Sequence, residues 1–295
     1  MLRGVLVVDK PAGITSYDVI RRVRRELKSE CSRVPPIGHA GTLDPMASGV
    51  LLILLGEATR LSRFLMTQTK EYDAEVTFGL ATDTDDITGQ AVSRCPVPDV
   101  TRERMQAALA GFVGTIEQVP PRYSALKQDG QAMYRLARQG RPVQPRPRRV
   151  TIHALALLGW EPPIARLRCV VSSGTYIRAL ARDLGAALGS AATLSRLIRT
   201  RVGRFRLDDA LSLHDVNPST IGERLIPIER AVAELRLLTV GVKSGEALRA
   251  GRPVPSEGPP EAEGSALVRT ADGKALYLVR VADGCLYPER LIYAD

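Results

Sequence analysis

The chain has little cysteine, little histidine and few aromatic residues, and each shortage removes a class of function. Its four cysteines, Cys31, Cys95, Cys169 and Cys285, stand far apart with no C-x-x-C pair. Neither a thiolate zinc site nor a disulfide framework is indicated, and a reducing cytoplasm is the simplest setting. Only His39, His153 and His214 are present and no H-E-x-x-H occurs, so no metal centre is predicted. Asp83 to Gly89 evokes a calcium loop but has Thr88 at its sixth position and Arg94 at its twelfth, which leaves a polar loop. There is no P-loop and no G-x-G-x-x-G, so no nucleotide cofactor is implied. Ser124-Ala125-Leu126-Lys127 fits S-x-x-K, yet the companion motifs of penicillin-binding enzymes are missing. Aromatics make up 4% of residues, which argues against a protein that stacks base after base on aromatic platforms. No apolar run approaches the roughly 18 residues needed to span a bilayer, and the opening Met1-Leu2-Arg3-Gly4 leads into a strand rather than a secretory leader.

What the chain has in quantity is arginine. Lysine occurs only at Lys10, Lys28, Lys70, Lys127, Lys243 and Lys274, yet the net charge is +9. Guanidinium forks suit phosphate oxygens, so a polyanionic partner recognised by shape and phosphate contacts is expected. At 295 residues the chain predicts one large domain plus a small one.

The segment from Gly38 to Val50 isolates a single carboxylate, Asp44, among glycines, His39 and Pro45. Glycine supplies backbone freedom, and Pro45 keeps Asp44 out of the helical region, so a shaped loop is predicted. The apolar run Val50 to Leu55 follows as a strand buried on both faces. Before the loop, Gly4 to Val8 reads as a strand with a polar turn from Asp9, and Ser16 to Leu27 as a helix with Ser16 as N-cap. Beyond it, Thr59 to Met66 reads as a short helix and Tyr72 to Leu80 as a half-buried strand. Thr101 to Leu109 and Gln131 to Gln139 follow as helices, the second stopped by Gly140. Arg141 to Arg149 is a Pro and Arg tract expected to contact phosphate from a stiff extended segment. Val150 to Leu158 and Ala165 to Val171 are strands, and Tyr176 to Leu188 is a helix with Arg178 and Arg182 one turn apart. Near Leu235 the composition changes to turn-rich short β runs, including Ala266 to Arg269 and Leu276 to Arg280. The predicted organisation is a main domain over 1–235 and a small β-rich module over 236–295.

Five blocks in order, Val7 to Ser16 with Gly38 to Val50, Lys70 to Ala74, Tyr123 to Lys127, Ser173 to Arg178 and Leu194 to Leu197, resemble the motifs of the bacterial tRNA pseudouridine-55 synthase (TruB) family. The likeness reaches to about Arg201. It implies an α+β fold, with a mixed, largely antiparallel catalytic β-sheet of pseudouridine-synthase type flanked by helices, and a C-terminal PUA-like RNA-binding domain. It also implies isomerisation of uridine to pseudouridine in the T-loop of tRNA, in the cytoplasm, without metal or cofactor, on the T-arm or elbow and with no obligate protein partner.

By the same resemblance Asp44 matches the catalytic aspartate, attacking either C6 of the base or C1′ of the ribose, and Arg178 matches the arginine that keeps it ionised. Tyr72 matches the tyrosine that stacks on the target base or helps remove the C5 proton. Tyr176 and Leu197 match residues that hold the base. His39 matches the histidine that enters the RNA loop beside the flipped nucleotide. Lys10 matches the first motif as a support for the loop. A uridine isomerase acting on another RNA, or a non-catalytic tRNA chaperone whose Asp44 loop props open the elbow, are the other readings of these residues.

Overall fold

The computed structural model describes residues 2–29, 33–124, 126–128, 130–256 and 263–294. Cys31, Ala125 and the Pro and Gly stretch over 257–260 lie outside the described residues. In chain order the first half comprises β1 (Gly4–Lys10), α1 (Ser16–Lys28), β2 (Ile37–Ala40), β3 (Ser48–Leu55), α2 (Ser62–Thr67), β4 (Lys70–Phe78), β5 (Leu80–Thr82), β6 (Ala91–Arg94), α3 (Arg102–Ala110), β7 (Gly114–Gln118), β8 (Lys127–Gln128), β9 (Gln131–Ala132) and α4 (Met133–Arg138). There follow β10 (Arg148–Glu161), β11 (Ile164–Val171), α5 (Ile177–Ala187), β12 (Ala192–Val202), β13 (Phe205–Arg206), β14 (Leu211–Ser212), α6 (Pro218–Arg224) and α7 (Ile228–Ala231). The last part holds β15 (Arg236–Val240), α8 (Val242–Arg249), β16 (Val254–Pro255), β17 (Gly264–Thr270), β18 (Ala275–Ala282) and β19 (Cys285–Ala294).

Alternation of apolar and polar residues puts one face of a strand into a core, as in β4, where every second residue from Lys70 to Phe78 is buried, whereas the continuous apolar run of β3 is buried on both faces. Ten strands form one mixed sheet with the path β14-β1-β3-β12-β4-β11-β10-β7, β2 and β13 pairing at its flank. Most neighbours are antiparallel, while β12 lies parallel to β3 and β14 parallel to β1. One face packs on α1, α3 and α5 through Val19, Val23, Met105, Leu180 and Leu184. The opposite face shares a second apolar cluster with Leu61, Leu65, Ile228 and, from the terminal segment, Leu267, Leu276, Ile292 and Tyr293. That segment forms its own five-stranded sheet, β15-β17-β18-β19-β16, over a third core around Val268, Tyr277 and Val279. Arg60 fixes the contact by donating to the carbonyls of Leu291 and Ile292 at 3.1 and 2.9 Å.

The local readings shift in several places. β1 runs on through Asp9 and Lys10, because both pair with β3, so the polar turn starts two residues later than expected. Thr15, not Ser16, caps α1, with Asp18 completing a reciprocal capping box. The Asp44 segment is shorter than the expected loop: Gly38 and His39 sit on β2 paired with Leu54 and Ile53, and β3 begins at Ser48, leaving 41–47 as the loop. The basic tract ends early, since Arg148 and Arg149 pair with Gln118 and Glu117 of β7. The strand β12 has no counterpart in the sequence reading.

Candidate active site

The loop over 41–47 carries Asp44 between β2 and β3, and its backbone is bonded on all sides. Ser16, in the first turn of α1, accepts from the Leu43 N–H at 2.9 Å and donates to the Leu43 carbonyl at 3.1 Å. Gly13 N–H donates to the Pro45 carbonyl at 2.8 Å. Lys10, fully buried, donates to the carbonyls of Pro11 and Ile14 at 2.8 and 2.7 Å and reaches that of Pro45 at 3.4 Å. From β12, Arg199 donates to the Val50 carbonyl at 2.7 Å, to that of Gly41 at 3.0 Å and to that of Thr42 at 3.4 Å. One guanidinium thus ties both ends of the loop to a strand of the central sheet.

Arg178 meets Asp44 side-on. Its Nε lies 2.9 Å from Asp44 Oδ2, and Nη2 donates to Oδ1 at 3.2 Å. The arginine side chain is 5% exposed against 35% for the aspartate, so the carboxylate faces open space while its counter-ion is buried. Nη1 donates to the Thr84 carbonyl and Nη2 also to that of Tyr123, each at 2.9 Å, and Asp86 Oδ2 stands 3.7 Å from Nη1, while Nε, close as it is to Asp44, makes no hydrogen bond among the described residues. Asp86 is itself fixed, accepting from the Thr84 hydroxyl at 2.9 Å and the Thr88 N–H at 3.0 Å. The polar loop over 83–89 therefore clamps Arg178, and through Asp85 at 2.9 Å also Arg182. The start of α5 is held from β7, where the buried Gln118 accepts from the Tyr176 N–H at 2.8 Å and donates to its carbonyl at 3.1 Å.

Asp44 and Arg178 line a cavity of about 360 Å³ whose walls include Tyr72, Tyr176, Leu197, Lys70 and Arg199. Adjacent strands bring these together: Arg199 pairs with Tyr72, and Leu197 with Ala74, across the β12–β4 ladder. Five of the six residues singled out in the sequence, Asp44, Tyr72, Arg178, Tyr176 and Leu197, surround this one space. His39 does not line it; it lies half-buried on β2, and its Nδ1 is enclosed without a hydrogen-bond partner among the described residues.

Burial sets the electrostatics. It pushes the ammonium groups of Lys10 and Lys70 down to about 8, with the charge of Arg199 lowering both further and that of Asp44 opposing the shift at Lys10. Burial, then Arg199, also lowers His39, while burial raises the Tyr176 phenol. Lys70 is nonetheless provided for by the carbonyls of Met66 and Gln68, to which it donates. The sequence reading assigned no role to Lys70, Asp86, Gln118 or Arg199. Lys70 was within reach, two residues before Tyr72 on an alternating strand, whereas Arg199 and Asp86 meet the loop only through long-range pairing.

Such an arrangement offers a partly exposed carboxylate held against a buried cation beside a half-apolar space large enough for a flat ring. The chain matches the model of the TruB family pseudouridylate synthase (N terminal domain) over residues 24–177, and that of the tRNA pseudouridylate synthase B C-terminal domain over 178–233. A curated tRNA pseudouridine synthase B of Xanthomonas campestris is 38% identical, covering 98% of this chain and 94% of the relative. One from Gloeobacter violaceus is 50% identical over 72% of each chain. Among solved structures, a chain of a Cbf5-Nop10-Gar1 complex superposes with a TM-score of 0.73 at 25% identity, covering 99% of this chain and 85% of that one. By fold, by family model and by relatives matched along nearly its whole length, the chain belongs to the TruB family of pseudouridylate synthases.

Proposed function

We propose that the protein isomerises uridine to pseudouridine in tRNA, at position 55 of the T-loop, with Asp44 as the nucleophile. The observation that carries this reading is the side-on pair of Asp44 with the buried Arg178 at the edge of a cavity walled by Tyr72, Tyr176 and Leu197. Relatives named tRNA pseudouridine synthase B support tRNA as the substrate. The reaction breaks the N1–C1′ bond, turns the base and forms a C5–C1′ bond; C5 loses a proton to water and N1 gains one, so atoms balance without a co-reactant. Asp44 adds to C6 or to C1′ and leaves again, a role open to a carboxylate that stays ionised when RNA closes the site to water. Arg178 keeps it in that form. Tyr72 stacks on the base or helps remove the C5 proton, and Tyr176 and Leu197 hold the ring. His39 enters the RNA loop beside the extruded nucleotide, replacing lost stacking. The tRNA is gripped at its T-arm and elbow, residues 236–295 act as a PUA-like RNA-binding module beside a catalytic domain over 1–235, and the setting is the cytoplasm.

The test is release of label from C5-tritiated uridine in tRNA, run beside filter binding on the same protein. Asp44→Asn keeps size and hydrogen-bonding shape but removes the charge, so release should fall on the order of a thousandfold or more while affinity holds. Arg178→Lys keeps the charge but loses the fork that meets the carboxylate side-on, and should slow release by roughly a hundredfold with near-normal affinity. Release from Asp44→Asn at the wild-type rate would remove Asp44 from the chemistry, whereas the absence of release even from the wild-type protein would favour the chaperone reading.

A further inference from the structure

A second cavity, of about 480 Å³, lies away from Asp44 and shares no lining residue with the active-site space. Its floor includes Val7 and Phe205, which belong to the apolar cluster on the terminal-module side of the large sheet, whereas Leu43, Tyr72 and Leu197 belong to the cluster on the opposite side. The sheet therefore stands between the two cavities. Three exposed arginines line this cleft from separate segments: Arg204 from the β12–β13 turn, Arg224 from the end of α6 and Arg230 from α7. Arg204 is fixed in place, its Nη1 donating to the Arg230 carbonyl at 2.8 Å.

These three arginines carry no counter-ion among the described residues, in contrast to those on one surface of the large sheet. Along the β4–β11–β12 surface the half-exposed arginines are paired, Arg168 with Asp73 at 2.8 Å, Arg196 with Glu75 at 3.2 Å and Arg201 with Glu71 at 3.1 Å. Arg182 meets Asp85 in the same way. None of Arg204, Arg224 and Arg230 forms an ion pair among the described residues, and the one carboxylate lining the cleft, Asp209, is not within ion-pair distance of them. Positions near helix ends account for a charge on α6 or α7, but not for three arginines from separate segments lining one cleft with an apolar floor. Like charges so held repel one another, and an anion turns that repulsion into attraction.

We propose that this cleft binds a nucleoside phosphate: the guanidinium forks take the phosphate oxygens, the apolar floor takes ribose or base, and Asp209 accepts a hydrogen bond from a hydroxyl or amino group. The volume lies in the range of small-ligand sites. A free mononucleotide and one nucleotide of an RNA chain offer the same chemistry.

The probes are AMP and a labelled oligoadenylate, which contains no uridine for the catalytic pocket. Replacing Arg204, Arg224 and Arg230 together with glutamine should weaken one or both probes by about tenfold or more, through lost phosphate contacts. Weakening of oligoadenylate alone identifies an RNA segment as the ligand, and weakening of AMP as well identifies a free nucleotide. A control set of exposed arginines, Arg63, Arg94 and Arg104 changed to glutamine, removes the same charge elsewhere and should leave both affinities within about twofold. Arg224→Glu, a single change at an exposed helix end, should reproduce the loss if the triple variant folds poorly. Unchanged affinity in both the triple and the Arg224→Glu proteins, or equal weakening by the control set, would overturn the proposal.

Discussion

Four buried cations, Lys10, Lys70, Arg178 and Arg199, stand around the Asp44 loop, and among the described residues only Arg178 of these meets a carboxylate within ion-pair distance. The other three are held by backbone carbonyls, which solvate the charge without neutralising it. With both lysines near 8, raising the pH through that value removes positive charge beside the carboxylate. Single-turnover label release should fall along an alkaline limb with its midpoint near 8, while filter binding changes far less. Folding stability moves the other way. Each lysine binds its proton less tightly in the folded chain than in the unfolded one, whose value is 10.5. Below about 8 the burial cost is carried in full, and between about 8 and 10.5 it is relieved as pH rises. Denaturant titrations across that window should show the contribution of these two groups rising with pH.

At the scale of elements, the loop over 41–47 owes its shape to close approach as much as to its own residues. Gly49 has a φ of +103°, and a Cβ there would lie 2.3 Å from the Arg199 carbonyl oxygen and 2.8 Å from its nitrogen. Gly49→Ala should therefore push β3 away from β12 and loosen the Arg199 clamp. A loss of roughly 3 kcal/mol in stability is expected, read by thermal unfolding, together with slower label release. The basic tract divides into two parts. Arg141 and Arg146 lie in the stretch without regular secondary structure before β10, whereas Arg148 and Arg149 begin β10, and Arg148 also lines the active-site cavity. Changing Arg141 and Arg146 to glutamine should flatten the dependence of log affinity on log salt by about 0.7 to 0.9 per arginine if both meet phosphate. Arg148→Gln should instead alter the reaction of bound tRNA. An unchanged salt slope in the double variant would make the stretch a plain connection.

For the whole molecule, the terminal module is part of the fold that supports the site. Leu267, Leu276, Ile292 and Tyr293 share one apolar cluster with Val5, Val7, Leu52 and Leu54 of the large sheet, and the Tyr293 hydroxyl donates to Glu229 at 3.1 Å. Cutting the chain after Leu235 uncovers that cluster, so the expected result is a midpoint of unfolding lower by more than about 5 °C and a tendency to aggregate. A loss of tRNA affinity alone, with thermal stability intact, would show the module to be a separable RNA grip. Milder substitutions on the outer face of β18 and β19 are the cleaner way to test its contact with RNA.

The sequence by itself determined the chemistry that had to be explained. It isolated Asp44 between glycines and Pro45, spaced Arg178 one turn from Arg182, and alternated Tyr72 with polar neighbours, because period, turn chemistry and residue type are local properties carried by a few adjacent residues. It also marked the change of composition near Leu235. The tertiary structure decided what no local pattern contains. The strand β12, with register shifts at Leu194/Arg196 and Arg199/Arg201, pairs with β4 and runs parallel to β3, and only that pairing brings Arg199 and Leu197 to the loop. Asp86 meets Arg178, and Gln118 meets Tyr176, across long stretches of chain. His39 left the loop for a strand because β2 finds its partner in β3. These contacts join residues far apart in sequence, and their energy comes from burial and hydrogen bonds that exist only once the sheet has closed, which is why composition and spacing are silent about them.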